Sequence, residues 1–445
     1  MTSIAFLGMG MLGAGFATAA ARRGEAVRVW NRTRAKADAL AAAGATPCAT
    51  PAEVVRGAGR VHLVLSDDAA VDATLEALRP GLEPGALVVD HSTTSPEGTA
   101  RRVHAMARAK ITFLHAPVFM SPQMAHESKG LMLGSGPRWV WDLAAPALAP
   151  MTGELVYLGE RPDLAAGYKL FGNAMLFAIV AGLADVFTMA TSMGIEPEAA
   201  RGLFSKFMPA RAIDARGVKM AQGDFTASFE ATMARKDARL MTELAARGGG
   251  GLHVLPAIEA ALGGLVDAGR GGDDMGALAA PAVERARRPE RDPFEQLVRS
   301  HRRLEETLLD LRAALAKGPG SLAPALADAS SFFERNGRRH EEDEERSLFP
   351  RLTDPAEKAI ADELAAEHAA HERLIERLAK LADRAGQEGD DAVIAEARDV
   401  CRDLEHVYHA HIALEEGVLF PRARLRLGAE ALAEMGREMQ ARRGR

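Results

Sequence analysis

The sequence predicts a multidomain chain in three parts: a parallel α/β domain, an all-helical domain and an up-down four-helix bundle. Three observations predict it. Short apolar runs alternate with Ala-rich stretches as far as about residue 160, no comparable run follows between residues 165 and 285, and the last third repeats itself. The length of 445 residues leaves room for such a plan, at roughly 150 residues per domain.

The runs IAFLGMG, AVRVWNR, VHLVLS, ALVVDHS and ITFLHAPV read as parallel strands joined by crossover helices, within a domain over residues 1–162. Residues 163–285 read as helices. The stretch AMLFAIVAGLA, Ala174 to Ala184, is too short to cross a bilayer and is expected as a buried helix. Composition then shifts. Residues 1–291 hold 31 basic and 29 acidic residues, and residues 292–445 hold 24 and 32, so the charge passes from +2 to -8. The junction ERARRPERDP carries Pro289 and Pro293, which predicts a linker over residues 286–293. Four amphipathic stretches at about 293–317, 322–347, 355–385 and 390–418 predict a bundle over residues 294–428, with a tail over 429–445.

The bundle carries an internal repeat. HEEDEERSLFP at 340–350 matches HIALEEGVLFP at 411–421, an offset of 71. SHRRLEETLLDL at 300–311 matches EHAAHERLIERL at 367–378, an offset of 67. Two related helical hairpins make a four-helix bundle.

Bulk composition excludes several classes. The net charge of -6 speaks against nucleic-acid binding, which needs a basic face. A hydrophobic content of 47% excludes a disordered chain. Cys48 and Cys401 are too few for a disulfide framework. The apolar N-terminal run has no basic stretch ahead of it, so no signal peptide is expected, nor a membrane partner. The expected location is the cytoplasm.

The first strand runs into Gly8-Met9-Gly10-Met11-Leu12-Gly13, a GxGxxG between strand and helix. Such glycines allow a tight turn and close backbone approach to a pyrophosphate, and the helix beyond offers amides and positive dipole. The second strand ends in Asn31, Arg32 and Thr33, where an NAD-selective site usually carries an acid for the ribose diol. Arg32, assisted by Arg34 or Lys36, suits a 2′-phosphate, so NADP is expected and NAD is less favoured.

With FLGMGMLG, NRT, VDHSTTSPEGT, APVFMS, AGYKLFGN, RKD and GRGGDDM in that order, residues 3–285 resemble the 3-hydroxyisobutyrate (β-hydroxyacid) dehydrogenases. The resemblance implies a Rossmann domain, a helical domain and an active site between them. It implies Lys169 as acid/base with Asn173 one helical turn on, Lys236 closing the nicotinamide end, and Thr93 touching the cofactor. It implies a homodimer or homotetramer. The substrate loop departs from the family pattern. Where the family has Ser-Gly-Gly, this chain has Phe119, Met120 and Ser121. That exchange removes a hydroxyl donor and crowds the backbone, so the expected substrate is a larger or more apolar carbonyl or alcohol than a small hydroxy acid, with Ser121 and Gln123 as remaining donors.

In the bundle, His340 and Glu344 lie four apart, as do His411 and Glu415, and His301 and His368 stand at matched places on the other helix of each hairpin. This makes two facing His/His/Glu half-sites. Mixed imidazole and carboxylate ligands suit iron, and bridging glutamates suit a pair of metals. Residues 292–425 resemble the hemerythrin-like HHE cation-binding domain, which implies non-haem di-iron, with His371 as a further candidate ligand and dioxygen or nitric oxide as partners. His406 and His409 lie outside the repeat and are not expected as ligands. The leading expectation is an NADP-dependent oxidoreductase carrying this metal module. The alternatives are a non-catalytic NADPH and gas sensor, or an imine reductase, which Lys169 disfavours because related imine reductases usually differ there.

Overall fold

The computed structural model describes residues 3–286, 292–385 and 391–443. The expected linker at 286–293 lies mostly outside them. The chain divides into two compact units, one of residues 1–170 with 291–445, the other of residues 171–290.

The first unit contains a six-stranded parallel sheet in the order β3-β2-β1-β4-β5-β6, with β1 Ser3–Leu7, β2 Val27–Trp30, β3 Thr46–Pro47, β4 Ala58–Leu63, β5 Leu87–Asp90 and β6 Thr112–His115. All five predicted strands form. β5 and β6 are buried along their whole length, as strands covered on both faces must be. Strand order reverses between β1 and β4, and a crevice opens at the carboxyl ends of such a pair. A second sheet, β7 Val118–Phe119, β8 Leu131–Gly134 and β9 Glu154–Tyr157, escaped the sequence reading because its strands are short and lack a strong apolar run.

The same unit holds the bundle. Its helices are Pro293–Lys317, Pro319–Phe332 continuing to Asp343, Pro355–Ala385 and Asp391–Leu414. Wider π-type turns interrupt it at Phe333–Gly337, Glu344–Leu348 and Glu415–Leu419. Two apolar clusters fill the bundle, one around Leu304, Phe333, Ile375 and Leu404, the other around Leu297, Leu348, Leu364 and Leu419. On all four helices the predicted ligands fall between the two clusters, so a polar layer is sandwiched by hydrocarbon. The expected tail is instead a helix, Ala429–Ala441, whose Leu432, Met435 and Met439 join the second cluster. Its apolar residues recur every three or four positions, a helical period.

The sheet domain and the bundle share cores. Ala413 belongs to the cluster under the sheet, and Ala100 of helix Pro96–Arg108 belongs to a bundle cluster. A Cβ on Gly417 would stand 2.3 Å from that of Ala100, so only glycine fits there. Ion pairs rim the seam: Arg108 with Glu363 at 3.0 Å, Arg422 with Glu97 at 2.6 Å and Arg302 with Glu160 at 3.0 Å.

In the second unit Asp185 accepts the backbone N–H groups of His253, Val254 and Leu255, at 2.6, 3.0 and 3.1 Å. Asp274 accepts those of Ser228, Phe229 and Gly276. The apolar run 174–184 is helical, within Leu164–Ser192, but is exposed rather than buried. Met175, Phe177 and Val180 are at least half exposed, because among the described residues no other segment covers that face. Among the described residues this is the one helix long and apolar enough to cross a membrane by length and composition.

Candidate functional site

A cleft of 680 Å³ opens where β1 and β4 diverge. Gly8, Gly10, Met11, Leu12 and Gly13 form its floor. Gly8 has φ +101°, and a Cβ there would meet Val64 O at 2.2 Å. A Cβ on Gly13 would meet Gly8 O at 2.0 Å, whereas one on Gly10 would meet nothing within 4 Å. Two glycines are thus forced by packing, and the middle one keeps the backbone open to the cleft. Met9 is different. Its side chain is buried in the core and its N–H donates to Asn31 Oδ1 at 2.8 Å, so it shapes the turn without facing the cleft.

Asn31, Arg32, Thr33 and Lys36 rim the cleft, while Arg34 is held by Asp38 at 2.6 Å. Lys36, not Arg34, is therefore placed to assist Arg32. Thr93 lines the cleft and Ser95 caps the next helix by accepting the Gly98 N–H, so cleft lining and capping fall on different residues. Beneath this wall His62 Nδ1 lies 2.9 Å from His91 Nε2, and His91 Nδ1 lies 2.6 Å from Ala116 O. Burial lowers His91 to about 4, against the Ala116 carbonyl and Asp90.

Met120 also lines the cleft, and its neighbour Phe119 lays its ring 4.1 Å from Lys169 Nζ. Burial lowers the Lys169 pKa below its ordinary 10.5. Ser121 is exposed and spends its hydroxyl capping a short helix through Met124 N–H at 3.2 Å, and Gln123 pairs with Glu127. Ser121 keeps its O–H to donate, and Gln123 keeps one amide N–H. Asn173 lies one turn beyond Lys169 on helix Leu164–Ser192, in the second unit. Lys236 lies in that unit too, 2.8 Å from Asp237.

The bundle brings all six predicted ligands together. His301, His340, Glu344 and Glu415 form one buried cluster, and Glu344, His368 and His411 a second, each with its ligand atoms within 4.8 Å of one another. Glu344 belongs to both. His340 Nε2 approaches Glu344 Oε1 at 2.7 Å, His301 Nε2 approaches Glu415 Oε2 at 3.0 Å, and His368 Nε2 approaches Glu344 Oε2 at 3.4 Å. All four oxygens of Glu344 and Glu415 are nevertheless buried without a hydrogen-bond donor. Orphaned carboxylates facing converging imidazoles are costly unless a cation lies between them. The donor set therefore fits a pair of transition metals. Burial disfavours charge on His340, but Glu344 and Glu415 outweigh it and raise the pKa to about 10.

Outer carboxylates orient the rings. Nδ1 of His301 lies 2.7 Å from Glu416 Oε1, that of His368 2.7 Å from Glu345 Oε1, and that of His411 3.1 Å from Glu367 Oε2. Such partners fix the tautomer and direct the other nitrogen to a metal. Sequence reasoning missed them, although Glu345 and Glu416 are the second members of the repeated Glu-Glu pair. His371 lies outside both clusters: Nδ1 is 3.0 Å from Glu341 Oε1, and Nε2 is buried without a partner. Burial lowers its pKa to about 4, with Glu341 opposing. His406 stacks edge-on to Trp139, away from the clusters. A further link across the seam reaches the second cluster. His104 Nε2, on sheet-domain helix Pro96–Arg108, lies 2.9 Å from Glu367 Oε1, so Glu367 joins His104 to His411.

Fold and sites together define a dinucleotide-binding α/β domain joined to a helical bundle with a histidine–carboxylate centre. Residues 3–159 match the NAD binding domain of 6-phosphogluconate dehydrogenase, and residues 292–423 match the hemerythrin HHE cation binding domain, so the chain carries both, as its sequence resemblances implied. It is 29% identical over 245 residues to the cytokine-like nuclear factor N-PAC of Xenopus tropicalis, covering 54% of this chain and 46% of that protein. The chain thus spans about half the length of that relative. It is 29% identical over 247 residues to glyoxylate/succinic semialdehyde reductase 2, chloroplastic, of Arabidopsis thaliana, covering 55% and 69%. Among solved structures it is similar to an imine reductase of Streptomyces aurantiacus, at 25% identity and TM-score 0.58 over 63% of this chain and 99% of that one.

Proposed function

We propose that the chain is an NADP-dependent oxidoreductase acting on a carbonyl or alcohol, with a hemerythrin-like di-iron module. The carrying observation is the glycine-floored cleft whose rim offers Arg32 and Lys36 in place of an acid, with Lys169 over the ring of Phe119, the chain neighbour of the cleft-lining Met120. A bound reduced nicotinamide supplies the hydride. Lys169 gives a proton from Nζ to the carbonyl oxygen in reduction and takes it back in oxidation. Half-burial against the Phe119 ring eases loss of that proton, and Asn173 orients the same oxygen or Lys169 itself. Thr93 and Lys236 contact the cofactor, and Phe119 and Met120 select an apolar substrate. Fluorescence titration with NADPH and NADH, then a panel of carbonyls and cyclic imines, tests the reading. Tighter NADPH binding with carbonyl turnover supports it. Tight NADPH binding without turnover of any substrate favours the sensor instead. Turnover of imines alone favours the second reading, imine reduction, to which the likeness to the Streptomyces enzyme lends weight.

For the bundle we infer two irons held by His301, His340, Glu344, His368, His411 and Glu415, with His371 as a further candidate, serving to bind dioxygen or nitric oxide or to change redox state. The His411–Glu367–His104 line is the route by which that state reaches the helix that follows the cofactor wall. Equal NADPH kinetics with and without iron would remove this link. The exposed apolar face of Leu164–Ser192 is assigned to a second copy of the chain, as homodimer or homotetramer. Sedimentation of a Phe177→Glu variant tests that, a monomer being the expected result. Two buried, unpaired cysteines fit a cytoplasmic location, which cell fractionation checks.

A further inference from the structure

The repeat within the bundle places every residue of one hairpin opposite a mate in the other, and one face differs in a consistent way. On the second hairpin, three acids grip basic side chains of the sheet domain: Glu363 holds Arg108, Glu367 meets His104 and Asp403 holds Lys110. At the matched positions, 67 residues earlier for the first two and 71 for the third, stand Gln296, Ser300 and Phe332. The same face of the second hairpin carries Ala366, Ala370 and Ala410. Their mates are Arg299, Arg303 and Arg339. The first hairpin thus lacks all three acids and carries three arginines where the second has alanines.

These first-hairpin residues line a groove of 320 Å³, closed at one end by Arg443. Arg299, Arg303 and Arg339 are exposed. Among the described residues the guanidinium groups of Arg303 and Arg339 make no ion pair, whereas Arg443 is matched by Asp343. Gln296 Nε2 is buried without an acceptor. The groove therefore presents uncompensated donors in a bundle segment whose net charge is -8. Planar guanidinium forks pair with phosphate and carboxylate oxygens by parallel hydrogen bonds.

We propose that this groove is a binding site for a small polyanion bearing phosphate groups. Shape favours a small ligand over a docked helix. Where a helix does pack, on the second hairpin, Ala410, Ala413 and Gly417 let the backbones approach, and Gly417 touches Ala100. Their mates are Arg339, Glu342 and Arg346, whose long side chains hold a helix off and reach a small anion instead. Ser300 and Arg339, which line the groove, are the chain neighbours of the proposed ligands His301 and His340, so the groove and the proposed metal site share two helices.

The test is calorimetric titration of the full iron-loaded chain with pyrophosphate and with citrate at 150 mM chloride. Pyrophosphate is expected to bind, and an Arg303→Ala/Arg339→Ala double variant to bind it at least tenfold more weakly. Arg32→Ala, at the dinucleotide cleft, is expected to leave that affinity unchanged. A shift of the iron absorption bands on pyrophosphate addition, lost in the double variant, would place the anion beside His301 and His340. Stronger binding of citrate would assign the groove to polycarboxylates and overturn the phosphate class. Equal binding by wild type and double variant, loss to Arg32→Ala alone, or no binding above the chloride background would overturn the site.

Discussion

The two sites of this chain are made of different material. The dinucleotide cleft is built from backbone, and its glycines matter for what they lack. The metal centre is built from side chains, and its residues matter for what they bring. The first is held by steric exclusion at Gly8 and Gly13; the second is held in spite of electrostatic cost at Glu344 and Glu415. One added carbon at Gly8 or Gly13 damages the backbone site, while the side-chain site is damaged by degrees, most where a donor is shared by both clusters.

The largest effect separates chemistry from both. Lys169→Ala is expected to lower kcat on the order of 10²–10⁴-fold while leaving NADPH affinity and iron content unchanged. With Lys169 as the proposed proton donor, the rate of carbonyl reduction in the wild type is expected to fall as pH rises through a Lys169 pKa depressed below 10.5. A pH profile that stays flat to pH 10.5 would remove Lys169 as the proton donor.

Next comes the shared carboxylate. Glu344→Ala touches both clusters and Glu415→Ala only one. The first is expected to weaken metal binding by more than the roughly 10–100-fold that loss of an outer partner costs, and to empty both positions; the second leaves one metal. Iron content after dialysis reads the difference, and equal losses would show that Glu344 is not shared. On the other side of the comparison, Gly13→Val should raise the NADPH Kd about a hundredfold by displacing the loop, and destabilise the fold by roughly 1–3 kcal/mol, with iron content intact.

The smallest effect concerns the wall beneath the cleft. His91 is buried neutral, and its pKa falls from 6.5 to about 4 on folding. Between those values the unfolded chain binds more protons, so stability falls as pH falls. Each pH unit in that window costs about tenfold in the folding equilibrium, and none is lost above it. Melting of wild type and His91→Gln between pH 7 and pH 4.5 measures it, the variant being expected to show the shallower slope.

What the sequence made legible follows the same division. The glycine turn and the five strands were readable because apolar runs and GxGxxG are local. The six ligands were readable because duplication repeated their spacing. Glu341 and Glu367 were not, since each meets its imidazole across helices, nor were the π-type turns that begin at Glu344 and Glu415. Those turns add a residue to a helical turn and so aim each glutamate inward. The exposed face of 174–184 was misread because composition records apolarity, not what covers it. The merging of sheet domain and bundle was invisible because it rests on single small residues, Ala100, Ala413 and Gly417.

That merging has an evolutionary consequence. With Ala413 beneath the sheet and Ala100 in the bundle, the two parts share apolar cores and are not independent modules. Either half excised by recombination would carry a bare scar where its neighbour used to fit, and descendants of this chain are expected to inherit both parts or neither.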